Sequence, residues 1–212
     1  MTANWQRVPM PQQIEALKRD RRGFPIPYVA EWSGEAPGDI VLWAAPFPEG
    51  IPVMMNARGS WHGKGTPILG HMNPERQREC MLGPRCQICR RELPDPPWNL
   101  IGGQIHTTLG EWWFSEPPVC DSCARYAVQV CPRLTGVTAA RADVRVFVVQ
   151  KMQLAAGLSN PLIGEERVVP WPGPELEALV IRGARLPYVL TFIKAQPIEF
   201  REVTVDEFLN TD

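Results

Sequence analysis

Alternation of apolar and polar positions is clearest at residues 143–151 (DVRVFVVQK), where Val144, Val146 and Val148 alternate with Arg145, Phe147 and Val149. β-Branched residues dominate this run, which predicts the best strand of the chain. Residues 39–45 (DIVLWAA) and 51–55 (IPVMM) predict two further strands, set apart by Pro46, Pro48 and Gly50 and so placed to form a hairpin with a loop. Residues 188–194 (YVLTFIK) and 199–206 (EFREVTVD) predict another strand pair. Residues 98–114 (WNLIGGQIHTTLGEWWF) predict two short strands around a turn.

Helical spacing is sparser. In residues 12–22, Ile14 and Leu17 share a face. Lys18, Arg19, Arg21 and Arg22 sit near the end of that helix, where cations suit the carbonyl end of its dipole, and Gly23 is its stop. Residues 74–82 (PERQRECML) predict a second helix with Pro74 in its first turn. Residues 175–182 predict one or two helical turns, after a proline-rich turn at Pro170, Pro172 and Pro174. The prolines of Gly23-Phe24-Pro25-Ile26-Pro27-Tyr28 forbid helix and require extended chain. The sum is an α+β fold: an antiparallel or mixed sheet around an inserted treble-clef-like or ribbon-like zinc module. Its parts are an N-terminal α+β segment (1–74), the zinc-binding module (75–135) and a C-terminal β-rich segment (136–212), packed as one body.

Composition narrows the partners. The net charge of −1 exerts no global pull toward nucleic acid or an anionic membrane. The 23 Pro and 17 Gly favour many short elements over a helix bundle. No secretory leader is legible in residues 1–11, and no apolar run approaches a membrane span. The expected setting is the cytoplasm, where thiols stay reduced and paired C-x2-C spacing points to metal.

All six cysteines lie between Cys80 and Cys131, with two C-x2-C pairs, Cys86/Cys89 and Cys120/Cys123, separated by 30 residues. Two thiolates spaced by two residues fit one tight turn, and a second such pair completes a tetrahedral zinc shell. Cys86, Cys89, Cys120 and Cys123 are therefore the expected zinc ligands. Ala124, Ala127, Val128 and Cys131 follow at helical spacing, so the second pair opens a helix. Knuckle, hairpin and helix in that order favour a treble clef over a zinc ribbon. On a continuous helix Cys131 lies about 12 Å beyond Cys123, too far to share the metal, and is expected as a buried helix-face thiol. Cys80, with five residues before Cys86, could replace a ligand but is expected first as a spare buried thiol, and His106 is a reserve ligand; His62 and His71 are read as ordinary surface or structural residues. The Arg58–Thr66 loop contains G-K-G-T but not a phosphate-binding loop, because Gly65 follows Lys64.

A resemblance rests on Cys86-Gln87-Ile88-Cys89, Ser115-Glu116-Pro117-Pro118, Cys120-x2-Cys123-Ala124 and Cys131-Pro132-x-Leu134, with Arg22-Gly23-Phe24-Pro25-Ile26-Pro27-Tyr28 upstream. Over residues 22–28 and 80–134 the chain resembles uncharacterised actinobacterial and actinophage proteins that pair C-x-x-C-G with S-E-P-P and C-A-x-x-A-x-x-x-C-P-x-L. It departs from them at Arg90, where they carry Gly, and at Cys120, where they often carry His. The resemblance implies zinc and a bacterial or phage setting.

Three functions follow in order of preference. A four-cysteine zinc has no open position for water, so a zinc-stabilised binding or adaptor protein comes first. Its partner would be an unidentified protein, met by Trp98, Trp112 and Trp113. Nucleic-acid binding comes second, through Arg76, Arg78, Arg85, Arg90, Arg91, Arg125 and Arg133. An enzyme is third, because no nucleophile–base constellation is legible and no catalytic residue is assigned. An iron–sulfur cluster is the alternative cofactor.

Overall fold

The computed structural model describes residues 4–35, 39–43, 51–55, 62–102, 112–135, 144–160, 164–171 and 189–211. The predicted turns at 175–182 and the reserve ligand His106 lie outside them. The fold is α+β, built on a mixed sheet.

Its spine is the run singled out by alternation. Strand β6 spans Arg145–Asn160 and pairs antiparallel with β8, Val189–Thr204, from Arg145↔Thr204 to Ser159↔Val189. The two predicted strands at 188–194 and 199–206 are thus one strand, not a pair. Pro197, which suggested a turn, faces Met152 beside a register shift at Lys151/Met152; a bulge absorbs the proline that a regular ladder would reject. The expected hairpin of β2 (Asp39–Trp43) and β3 (Ile51–Met55) is present, and β3 joins β8 in parallel at Val53↔Leu190.

The other edge of β6 carries two strands end to end. β5 (Trp98–Ile101) pairs with its first part, and β7 (Glu165–Trp171) with its last. β7 replaces the proline-rich turn expected at Pro170. Pro170 is tolerated because β7 pairs with β6 alone, and an edge strand can spare an N–H. Of the hairpin expected over 98–114, residues 103–111 lie outside the described residues. Phe114, at its described end, bridges to Ala195 of β8, with N–H···O distances of 2.8 Å each way.

Alternation along β6 feeds two cores. Phe147 and Val149 face Met81, Leu100, Phe114, Leu190, Ile193 and Ala195. Val144 and Val146 face Ile101, Val119, Ala124, Val128, Val203 and Phe208. Helix α2 (Pro74–Leu82) covers the first face, started by Asn73, whose Oδ1 accepts the Arg76 N–H. Buried Gln77 fastens it to β8: its Nε2 donates to the Ile193 and Ser115 carbonyls, and its Oε1 accepts the Ile193 N–H. Helices α3 (Asp121–Val130) and α4 (Val205–Asn210) belong to the second face.

The first helix is shorter than expected. α1 covers Gln12–Glu15 only, and Leu17 is half-buried beyond it. Asp20 Oδ1 accepts the Arg22 and Phe24 amides at 2.8 Å each, and Gly23 has φ +82°. That local side-chain bonding offers the backbone an alternative to helix, so the cations fall on a turn. Two strands gave no usable pattern: β1 (Ala30–Trp32) and β4 (Pro67–Met72) form a separate two-stranded sheet.

Candidate metal centre

The first cysteine pair lies in a tight knuckle. Arg85 bridges Glu92, the Cys86 N–H donates to the Arg91 carbonyl at 2.9 Å, and the Arg90 N–H donates to the Cys86 carbonyl at 2.8 Å. Arg90 closes the turn with φ +64°. The second pair starts α3: Cys120 is the N-cap, in extended conformation, and Cys123 sits in the first turn.

Three strips of backbone bring the pairs together. Val119 pairs with Asn99 of β5, the Gln87 N–H donates to the Pro118 carbonyl at 3.1 Å, and the amides of Tyr28 and Val29 donate to the carbonyls of Ile88 and Gln87. Pro118 has no N–H to leave unpaired, and its carbonyl is used. The two stretches that carried the resemblance, 22–28 and 80–134, therefore meet at the knuckle.

The sulfur atoms of Cys86, Cys89, Cys120 and Cys123 all lie within 4.8 Å of one another, and Cys89 Sγ is 3.9 Å from Cys120 Sγ. Bonds of about 2.3 Å at tetrahedral angles place thiolates about 3.8 Å apart, so the set fits a single four-coordinate ion. Cys86 and Cys123 are fully buried, while Cys89 and Cys120 are half-buried. Packed so closely, the thiols divide their protons unequally. Contact first with Cys123, then with Cys86 and Cys89, pushes Cys120 down, and contact with Cys120 pushes Cys123 up. Cys120 also pushes Cys89 up, but Cys123 and Cys86 outweigh it and bring Cys89 to about 7. A bound cation would take the place of the protons that the other two thiols, Cys86 and Cys123, hold more tightly.

The remaining cysteines stand apart from this group. Cys80 is fully buried, its Sγ is 4.0 Å from the Cys86 carbonyl, and burial, with Glu79 adding, pushes its thiol up to about 12. Cys131 is not a buried helix-face thiol: it is the half-buried C-cap of α3, with ψ 121°. Pro132 forces the residue before it out of helical conformation, so α3 stops at Val130.

Of the arginines around the module, Arg90, Arg91 and Arg133 are exposed, and most of the seven are engaged within the fold. Arg76 and Arg78 are buried, the first bidentate on Glu35 and the second donating to the Thr191 carbonyl. Arg85 pairs with Glu92, Arg90 with Glu79, and Arg125 with Asp121 and the carbonyls that end α4. Arg133 donates to the Gly70 carbonyl.

Sequence reading missed the contacts that hold the knuckle from outside. Arg90 lies over the Tyr28 ring at 4.8 Å, and both reach Glu79, Tyr28 through its hydroxyl at 2.5 Å. These partners are far apart in the chain, and no spacing rule connects them. Trp112 packs on Phe147 at 4.8 Å as part of the first core rather than as an outer surface. No helix among the described residues is long and apolar enough to cross a membrane. Comparison of the chain with protein-family models, curated proteins and solved structures gives no match.

Proposed function

We infer that the chain is a binding or adaptor protein stapled by one structural zinc ion on Cys86, Cys89, Cys120 and Cys123. The observation that carries the reading is the closed set of four thiols, mutually within 4.8 Å, at the junction of the knuckle and α3. Four thiolates fill a tetrahedral shell and leave no position for a reacting water, so such an ion organises fold. The close spacing favours a single ion over a multi-iron cluster, whose ligands are spread around several metals.

The surface offered to a partner is better sought on β8 than on the Trp residues. Ile198 and Phe200 are 44% and 41% exposed there, while Trp112 is committed to the core. Nucleic acid is the weaker alternative, because six of the seven arginines that suggested it are engaged by carboxylates or carbonyls.

Metal analysis of the purified protein tests the staple. The expected result is one zinc per chain in a colourless protein, lost in Cys→Ser variants at positions 86, 89, 120 and 123 and kept in Cys131→Ser. Visible absorbance from bound iron, or full zinc in Cys120→Ser and Cys123→Ser, would overturn the assignment.

A further inference from the structure

The four thiols of the metal centre are not equivalent. Cys86 and Cys123 are 0% exposed and belong to the second core, with Ile101, Val119, Ala124 and Val146. Cys89 and Cys120 only flank that core and are partly open to solvent. Each C-x2-C pair therefore contributes one inner and one outer sulfur.

The two outer sulfurs are neighbours. Cys89 Sγ and Cys120 Sγ are 3.9 Å apart, although Cys89 lies in the knuckle and Cys120 at the start of α3. A disulfide needs about 2.05 Å between sulfurs, so the pair must close by about 2 Å. That movement stays at the rim and leaves the packing of Cys86 and Cys123 in place. Closing either C-x2-C pair would instead pull a fully buried sulfur out of the core.

Resting on the zinc staple, we propose that Cys89 and Cys120 are a redox trigger for the metal centre: hydrogen peroxide joins them in a disulfide, and the ion is let go. One of the two thiolates attacks a peroxide oxygen. The O–O bond breaks, leaving a sulfenic acid and a hydroxide that takes up a proton to become water. The other thiolate attacks the sulfenic sulfur, the S–O bond breaks, and a second hydroxide takes up a proton and leaves as water. The sulfurs lose two electrons and the peroxide gains them. Cys86 and Cys123 then supply only two of the four ligands of a closed zinc shell, so the shell opens. A dithiol reductant returns the two electrons and restores the site.

The test treats the zinc-loaded full chain with hydrogen peroxide. Zinc release is followed with a zinc-sensitive dye, and disulfides are mapped by mass spectrometry after free thiols are blocked. Zinc should leave in step with a Cys89–Cys120 crosslink, and dithiothreitol with added zinc should reverse both. Cys120→His keeps a zinc ligand and removes the sulfur, so its release should be at least about tenfold slower. Cys131→Ser, outside the thiol group, should respond as the unaltered chain does. Zinc content before the oxidant tells the staple from the switch: an empty chain overturns the staple and the switch with it. A loaded chain that keeps its zinc under peroxide, loses it without the Cys89–Cys120 crosslink, or releases it equally fast as Cys120→His overturns the switch alone. The crosslink map needs no variant, so it decides even where Cys120→His fails to load.

Discussion

Arg90 adopts φ +64°, a region that costs an L-residue with a Cβ about 1 kcal/mol and glycine almost nothing. Glycine would adopt this backbone without that cost. Arg90 offsets the cost with its ion pair to Glu79 and its place over Tyr28. Arg90→Gly is expected to leave stability within about 1 kcal/mol, because a relaxed backbone replaces a half-exposed ion pair. Arg90→Val keeps the strain and loses the pair, so its melting temperature should fall below that of both. Glu35 is a second residue with a sharp consequence. Burial pushes its carboxyl up, but Arg76 and the Trp32 amide outweigh burial and hold it below its ordinary value of 4.5. A depressed carboxyl contributes stability at pH above that value, lost as pH falls through the lower folded value. Glu35→Gln should cost about 3–5 kcal/mol in denaturant unfolding at neutral pH, since it leaves a buried guanidinium unpaired. The same variant should flatten the acid limb of the stability curve.

Among the elements, α2 and α3 were legible because their signals are local. Pro74 and the terminal Gly83 bound the first, and Cys120 and Pro132 bound the second. β1, β4 and β7 were not, because their stability comes from pairing across distant sequence. Gly70 and Pro170 break any alternation there. The paired C-x2-C spacing showed the thiol cluster, while the Tyr28–Glu79–Arg90 contacts exist only once three segments have met. Gln77 is another residue that pattern could not place: a polar side chain, fully buried, that serves β8 as a backbone surrogate. Gln77→Leu should destabilise by about 2–4 kcal/mol in chemical denaturation, because the Ile193 N–H and carbonyl and the Ser115 carbonyl lose their partner. The α4 start is a lesser case. Thr204 and Glu207 form a reciprocal capping box, and Thr204→Ala should cost about 1 kcal/mol.

Over the whole molecule, the thiol group is not an appendage. Cys86 and Cys123 share a core cluster with Ile14, Val146, Val203 and Phe208, which come from both ends of the chain. The opposite core, around Phe147, Leu190 and Ile193, contains none of the four thiols. Removing the metal with a chelator should therefore act unevenly. Hydrogen exchange should speed up first in α3 and α4, while amides between β6 and β8 near Ile193 keep more of their protection. Uniform loss of protection would show that the two faces unfold as one unit.

The strand order also sets a timetable for synthesis. β8 leaves the ribosome after the other described strands, yet it lies between β3 and β6 in the middle of the sheet. Until it emerges, β3 and β6 each wait with a bare edge open to mispairing. The four thiols are all translated by Cys123, well before β8 begins at Val189. A metal ion captured at that stage would tether the nascent chain across its longest wait and hold β5 beside α3 while the centre of the sheet is still unmade.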